Sequence, residues 1–199
     1  MNIEKSNFDV AVSLWRDWND KINVVSRKDI DNLYEHHILH SLAIAEYMDR
    51  FHPGGFEGAS VLDVGCGGGF PGIPLAMLNP TASFTLCDSI GKKIKVAESV
   101  AASLGLGNVK CVNARAEAIG GQFDWIVSRA VTSLDNFFPW VRGKYRRGVL
   151  YLKGGDVNPE ISELVRRCGV NPRTISVWPV SEWLEEEYFE EKFVIEIGK

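Results

Sequence analysis

Apolar and polar positions change period several times along this chain. From residue 3 to 19, Phe8, Val12, Leu14, Trp15 and Trp18 recur among charged residues at near-helical spacing, which predicts an amphipathic helix. A polar, turn-like stretch from Trp18 to Arg27 follows. Asp29 or Asp31 is then placed to cap a second helix running to about Arg50, with apolar positions at Leu33, Ile38, Leu42, Ile44, Ala45 and Met48. Pro53-Gly54-Gly55 ends this helical part.

Beyond it, short apolar runs alternate with helical patterns. Strands are expected at Ser60–Val64, Ser83–Cys87, Val109–Val112, Phe123–Ser128, Val149–Leu152, Arg173–Trp178 and Phe189–Ile197. Helices are expected at Ile73–Leu78, Gly91–Leu104, Ser133–Tyr145 (interrupted by Pro139) and Asn158–Arg167. Such alternation implies an α/β fold with a doubly wound, mostly parallel seven-stranded sheet. The last two strands have no helix between them, so one of them should run antiparallel. The expected organisation is a helical extension over 1–57 and an α/β domain over 58–199.

The first strand runs into Gly65-Cys66-Gly67-Gly68-Gly69-Phe70-Pro71-Gly72 and then a helix. Glycines there allow a sharp turn with positive φ and leave space for a ligand against the backbone. Gly67-x-Gly69-x-x-Gly72 satisfies the G-x-G-x-x-G pattern of dinucleotide sites, so a nicotinamide-dependent oxidoreductase is one reading. Asp63 inside the strand and Asp88 at the end of the next favour S-adenosylmethionine, with Asp88 accepting from ribose hydroxyls. The order Asp-Val-Gly-x-Gly-x-Gly followed by Asp88 resembles class I methyltransferases, which have a Rossmann-like fold.

Ligands in open α/β sheets bind beyond the carboxyl ends of the strands. The residues just past those ends are Gly65–Phe70, Asp88, Ala116 and Glu117, Arg129 and Lys153. On this reading Gly65, Gly67 and Gly69 admit the cofactor's methionine and ribose. Phe70 packs on the cofactor or covers it. Ala116 and Glu117 address the adenine edge. Arg129 pairs with the cofactor carboxylate or with a phosphate.

Composition bounds the function class. No apolar run reaches 18 residues, and the first ten lack an apolar signal core, so neither a transmembrane helix nor a signal peptide is expected, and the location is expected to be cytoplasmic. The four cysteines have no metal-ligand spacing and are expected as reduced thiols. His36 and His40 stand one helical turn apart, but position 37 carries His rather than the Glu of H-E-x-x-H, and no metal is expected. The net charge is −4, yet residues 58–155 carry 11 Lys/Arg against 6 Asp/Glu while both flanks are acidic. That leaves a local phosphate-binding face open, with Lys92, Lys93, Arg129 and Lys153 as RNA-binding candidates. Lysines in a first helical turn oppose the helix dipole, which fits a phosphate partner for Lys92 and Lys93. A non-catalytic RNA-binding module is a third reading, but it leaves the glycine loop without a purpose.

From about Trp18 to the last strand, the chain resembles the ribosomal RNA small subunit methyltransferase G family, also called glucose-inhibited division protein B. The matching segments are Trp18-Asn19 with Asn23 and Ser26, His37-Ile38-Leu39 with Ser41-Leu42, and Asp63-Val64-Gly65 through Gly69-Phe70-Pro71-Gly72-Ile73-Pro74-Leu75. Asp88-Ser89 with Gly91-Lys92-Lys93, Arg115 with Glu117, Ser128-Arg129-Ala130 and Leu152-Lys153-Gly154 also match. The resemblance implies S-adenosylmethionine-dependent methylation at N7 of a guanine, position 527 of 16S rRNA, with cofactor contacts at Gly65, Phe70, Ala116, Glu117 and Arg129. It leaves another RNA as an alternative substrate. The chain departs from the family pattern at His36, where Arg is common, and at His40, where Asp is common. Guanine N7 has no proton to remove, so no catalytic base is expected, and Arg129, Lys153 and His37 are candidates for substrate-side contacts. The expected partner is 16S rRNA or the 30S subunit, and the expected state is a monomer.

Overall fold

The computed structural model describes residues 4–129 and 131–199, so the expected helix start at Ile3 and Ala130 of the Ser128-Arg129-Ala130 match lie outside the described residues. The seven strands are β1 (Ser60–Val64), β2 (Ser83–Asp88), β3 (Val109–Asn113), β4 (Phe123–Arg129), β5 (Tyr145–Gly154), β6 (Ile175–Pro179) and β7 (Lys192–Gly198). They form one sheet in the order β3-β2-β1-β4-β5-β7-β6. The pairs among β1 to β5 are parallel, whereas β7 lies antiparallel between β5 and β6. The closing hairpin thus puts its second strand inside the sheet.

Alternation along each strand sends neighbours to opposite faces. Val61, Phe84, Leu86, Val127, Leu150 and Val194 pack on one face with Phe8, Trp15, Leu42, Ile73 and Val96. Leu62, Val64, Ile126, Val149, Tyr151 and Ile197 pack on the other with Leu134, Phe137, Val141 and Leu164. The first face is covered by α1 (Asp9–Asn19), α2 (His40–Phe51), α3 (Gly72–Leu78) and α4 (Gly91–Ser103), the second by α5 (Leu134–Val141) and α6 (Asn158–Cys168). Residues before and after position 57 share one continuous apolar cluster.

Two differences from the sequence reading bear on the site. The helix expected through Tyr145 stops at Val141, and Gly143 adopts φ +79°, a conformation that glycine tolerates. The chain reverses there, and Tyr145 starts β5 opposite Phe123. The second N-terminal helix is not capped by a side chain of Asp29 or Asp31. It opens instead as a π-helical turn over Leu33–Leu39 before becoming α-helical at His40. Turns of this kind cluster at functional sites.

Candidate cofactor cleft

Chain order reverses between β1 and its two neighbours, β2 and β4. A cleft of about 430 Å³ opens there, beyond the carboxyl ends of these strands, within the size range of small-molecule sites. Its walls include Gly65, Gly67, Phe70, Asp88, Lys93, Ala116, Glu117 and Arg129, so most of the expected residues converge on one cavity.

The glycine loop forms the floor. The Gly65 and Cys66 amides donate to the Cys87 carbonyl at 2.8 and 3.1 Å, tying the loop to the end of β2. Gly65 has φ +71°, and a Cβ there would come within 2.5 Å of Val131 Cγ2. Gly67 has φ +55°, and a Cβ there would meet nothing within 4 Å, so its missing side chain is open space at the cleft. Gly69 serves packing instead, since a Cβ there would stand 2.4 Å from Ile73 Cδ1.

Two acids flank the loop. Asp88 Oδ2 accepts from the Gly67 amide at 3.0 Å and Oδ1 from the Ile90 amide at 2.8 Å. These bonds aim the carboxylate at the cleft and leave each oxygen capacity for a further donor. Asp63 is fully buried; its Oδ2 accepts from the Gly72 amide at 2.7 Å, and its Oδ1 has no hydrogen-bond partner among the described residues. Burial raises its pKa to about 8, against the lowering pull of the Gly72 amide and the Arg129 charge.

The third wall is a short 3-10 turn, Ala116–Ala118. Lys144 Nζ donates to the carbonyls of Ala116, Glu117 and Ile119 at 2.8, 2.9 and 2.6 Å. Lys144 stands in the connection before β5 and fixes the turn from behind. Nothing in the local sequence marks it for that role.

Arg129 ends β4. Its guanidinium carbon lies 5.0 Å from the centroid of the Phe70 ring, and Nη2 donates to His37 Nδ1 at 3.1 Å. Phe70 is buried, stacks on Trp15 at 4.3 Å between centroids, and still lines the cleft. Both nitrogens of His37 are engaged, because Nε2 lies 2.8 Å from Asp29 Oδ2. Burial and the adjacent Arg129 charge push its pKa down to about 4, so the ring is neutral. Burial also lowers Arg129, to about 10, which leaves it charged at neutral pH.

The remaining candidates sit apart. Lys92 is exposed on the first turn of α4, one residue from the cleft-lining Lys93. Lys153 Nζ pairs with Glu160 Oε1 at 2.7 Å, and Glu160 Oε2 also accepts from the Leu134 amide. The four cysteines are free thiols. Among the described residues no group of three or more His, Cys, Asp and Glu is arranged to hold a metal ion, and no helix is long and apolar enough to cross a membrane.

Sequence reasoning missed Trp15, Asn19, Asp29 and Lys144 as parts of the site. Trp15 Nε1 donates to the Gly68 carbonyl at 2.8 Å. Asn19 Oδ1 accepts from the Val24 and Val25 amides at 2.9 and 3.0 Å, holding Val24 over Gly68. The Trp18-Asn19 match was the available signal for Asn19, and Trp15 lies three residues before it.

A family profile described as rRNA small subunit methyltransferase G matches residues 5–181. The chain is 48% identical over 198 residues to ribosomal RNA small subunit methyltransferase G of Christiangramia forsetii, spanning 96% of this chain and 88% of that protein. It is 48% identical over 201 residues to the protein of the same name from Porphyromonas gingivalis, spanning 96% and 86%. Among solved structures, magnesium protoporphyrin IX methyltransferase from Synechocystis with bound SAM shares the fold at a TM-score of 0.67 and 16% identity, over 98% of this chain and 94% of that one. A T. thermophilus 16S rRNA N2 methyltransferase in complex with AdoMet and guanosine aligns at 0.62 and 18% identity, over 80% of this chain and 43% of that one. With a matching profile along most of its length and relatives near half identity over most of both chains, this chain belongs to the rRNA small subunit methyltransferase G family.

Proposed function

We propose that the protein transfers a methyl group from S-adenosylmethionine to N7 of guanine 527 in 16S rRNA. The observation that carries the reading is the cleft itself, where a glycine cradle, an aimed carboxylate and a charged guanidinium meet at the switch point of a methyltransferase fold.

The residues present fit this cofactor. The open space at Gly67 admits a ligand against the backbone. Asp88 suits a ribose diol, the turn at Ala116 and Glu117 suits an adenine edge, and Arg129 suits a carboxylate. Asp63 Oδ1 lies buried beneath the loop without a partner among the described residues, and with the carboxyl raised to about 8 it holds a proton at neutral pH that it can donate to a bound water. When bound, the cofactor supplies an electrophilic methyl group on a sulfonium centre.

The protein's part is then alignment and electrostatics. Guanine N7 presents an in-plane lone pair and carries no proton, so no side chain has to act as a base. The glycine loop, bonded to the Cys87 carbonyl and to Asp88, is suited to in-line positioning. Phe70 provides an apolar wall at the mouth. Lys93 and Lys92 offer positive charge on one side of the cleft for rRNA phosphates, and Lys153 offers more only by releasing Glu160. The substrate is 16S rRNA, free or in the 30S subunit, with the protein acting as a cytoplasmic monomer.

The test uses 16S rRNA from cells lacking the protein and from cells carrying it. N7-methylguanosine is cleaved after borohydride and aniline treatment. Cleavage at position 527 only when the protein is present supports the reading. Cleavage in both, or in neither, overturns it.

A further inference from the structure

The N-terminal segment does more than cover the sheet. Arg129 lies at the cleft, and its Nη2 stands 3.1 Å from His37 Nδ1. A guanidinium has donors only, so His37 Nδ1 must be an acceptor and its proton must sit on Nε2. That N–H needs a partner away from the cleft, and Asp29 Oδ2 is 2.8 Å from it. The other oxygen, Oδ1, is 2.5 Å from His36 Nδ1. One carboxylate therefore holds two consecutive histidines.

The backbone explains how it can. In a regular α-helix, consecutive side chains diverge by about 100°. Here His36 and His37 belong to the π-helical turn Leu33–Leu39, and Asp29 precedes that turn, so the carboxylate reaches both rings. His36 is fixed on its other face by stacking on Tyr188, 3.6 Å between centroids and 8° from parallel. Burial alone would raise the Asp29 carboxyl, but bonds from His36, His37 and Asn32 more than offset this and hold it below the usual carboxylate value. It is thus an anion at any working pH.

We infer that Asp29 is a positioning residue for the cofactor site, selecting the His37 tautomer that accepts from Arg129 and thereby setting the guanidinium over the Phe70 ring at the cleft. Without the carboxylate, His37 can carry its proton on Nδ1 and present an N–H to the guanidinium, donor against donor. Arg129 then loses its only side-chain hydrogen-bond acceptor shown among the described residues and turns from the cleft. The inference rests on reading the cleft as the S-adenosylmethionine site, and it adds a control point about 100 residues away in sequence from the group it orients.

The first measurement needs no variant. Nitrogen-15 shifts of the His37 ring in the full-length protein at neutral pH should show a neutral imidazole protonated at Nε2. A ring protonated at Nδ1, or charged, overturns the inference whether or not the cofactor binds. The second compares wild type with Asp29→Asn by titration with S-adenosylhomocysteine and by steady-state methyl transfer. Asp29→Asn should weaken binding and raise the KM for S-adenosylmethionine by tenfold or more, and lose the Nε2-protonated signature. The KM for the RNA should change less than threefold. Wild-type affinity and signature in a folded Asp29→Asn protein overturn the inference. If wild type binds no S-adenosylhomocysteine, the reading of the cleft fails, and the ring shifts still decide what Asp29 does to His37.

Discussion

The indole of Trp15 donates to the carbonyl of Gly68 at 2.8 Å while its ring stacks on Phe70 at 4.3 Å. A helix of the N-terminal extension therefore holds the glycine loop from outside the sheet, through a bond spanning 53 residues. Trp15 is completely buried, so the carbonyl it serves has no water as a substitute. Trp15→Phe keeps the stacking and removes the donor. It should cost about 1–3 kcal/mol, the penalty of a buried acceptor left unsatisfied, read from urea denaturation. S-adenosylhomocysteine affinity should fall with it, since the loop loses its brace. Full stability with full affinity would mean that the bond contributes nothing.

The glycines separate space for the ligand from space for packing. Gly67→Ala adds a methyl group that meets no protein atom, at a φ of +55° that costs alanine roughly 1 kcal/mol. The protein should fold, melt a few degrees lower and bind S-adenosylhomocysteine at least tenfold more weakly. Gly69→Ala instead drives a methyl group to within 2.4 Å of Ile73 Cδ1. It should lower stability more than Gly67→Ala does. Calorimetric titration beside thermal melting distinguishes the two, and equal affinity losses without a stability difference would refute the distinction.

Asp63 makes the ligand-free protein sensitive to alkali. Its carboxyl is raised to about 8 in the fold and has an ordinary carboxylate value when unfolded. Between those values the unfolded chain has released the proton and the folded chain has kept it. Stability from this group therefore declines as pH rises from about 4 to about 8, and the cost is complete above that. Asp63→Asn should remove the decline and raise stability at pH 8 by a few kcal/mol, at about 1.4 kcal/mol for each pH unit separating the folded from the unfolded value. Denaturation at pH 5 and pH 8 checks the sign; a wild-type protein whose stability rises over that interval as steeply as that of the variant would contradict it.

His40 works in the opposite direction. It is buried, and its Nε2 has no hydrogen-bond partner among the described residues. Burial holds its pKa well below the ordinary value of 6.5, and the charge of Arg129 adds to the effect. The unfolded chain takes up a proton near 6.5 that the folded chain refuses, so the stability this group supports is complete above that pH and is lost as pH falls. His40→Leu should equal wild type at pH 7 and exceed it by about 1 kcal/mol or more at pH 5, as denaturation at the two pH values will show. His37, held down to about 4, keeps part of the acid slope in the variant.

The sheet and the floor of the cleft were legible because their signals are local. Strand ends, glycines and Asp88 announce themselves within a few residues, and the carboxyl-end rule brings them to one edge. Asp29 was legible only as a capping residue, because its actual partners depend on a π-helical turn that leaves no periodic mark. The Arg129–His37 bond spans 92 residues, and Trp15 meets Gly68 across the whole first domain boundary expected from sequence. Lys144 reaches the carbonyls of Ala116, Glu117 and Ile119 only because Gly143 ends the α5 connection early. Contacts between segments distant in sequence are set by packing, and one chain read alone does not display them.

The most direct test is transfer of a labelled methyl group from S-adenosylmethionine to 30S subunits lacking the modification, with wild type and Arg129→Ala compared and the labelled base mapped. Label is expected at N7 of guanine 527 with wild type, and little or none with a folded Arg129→Ala protein. Label on a different base would overturn the substrate, and near-normal turnover by Arg129→Ala would overturn the role given to the guanidinium at the cleft.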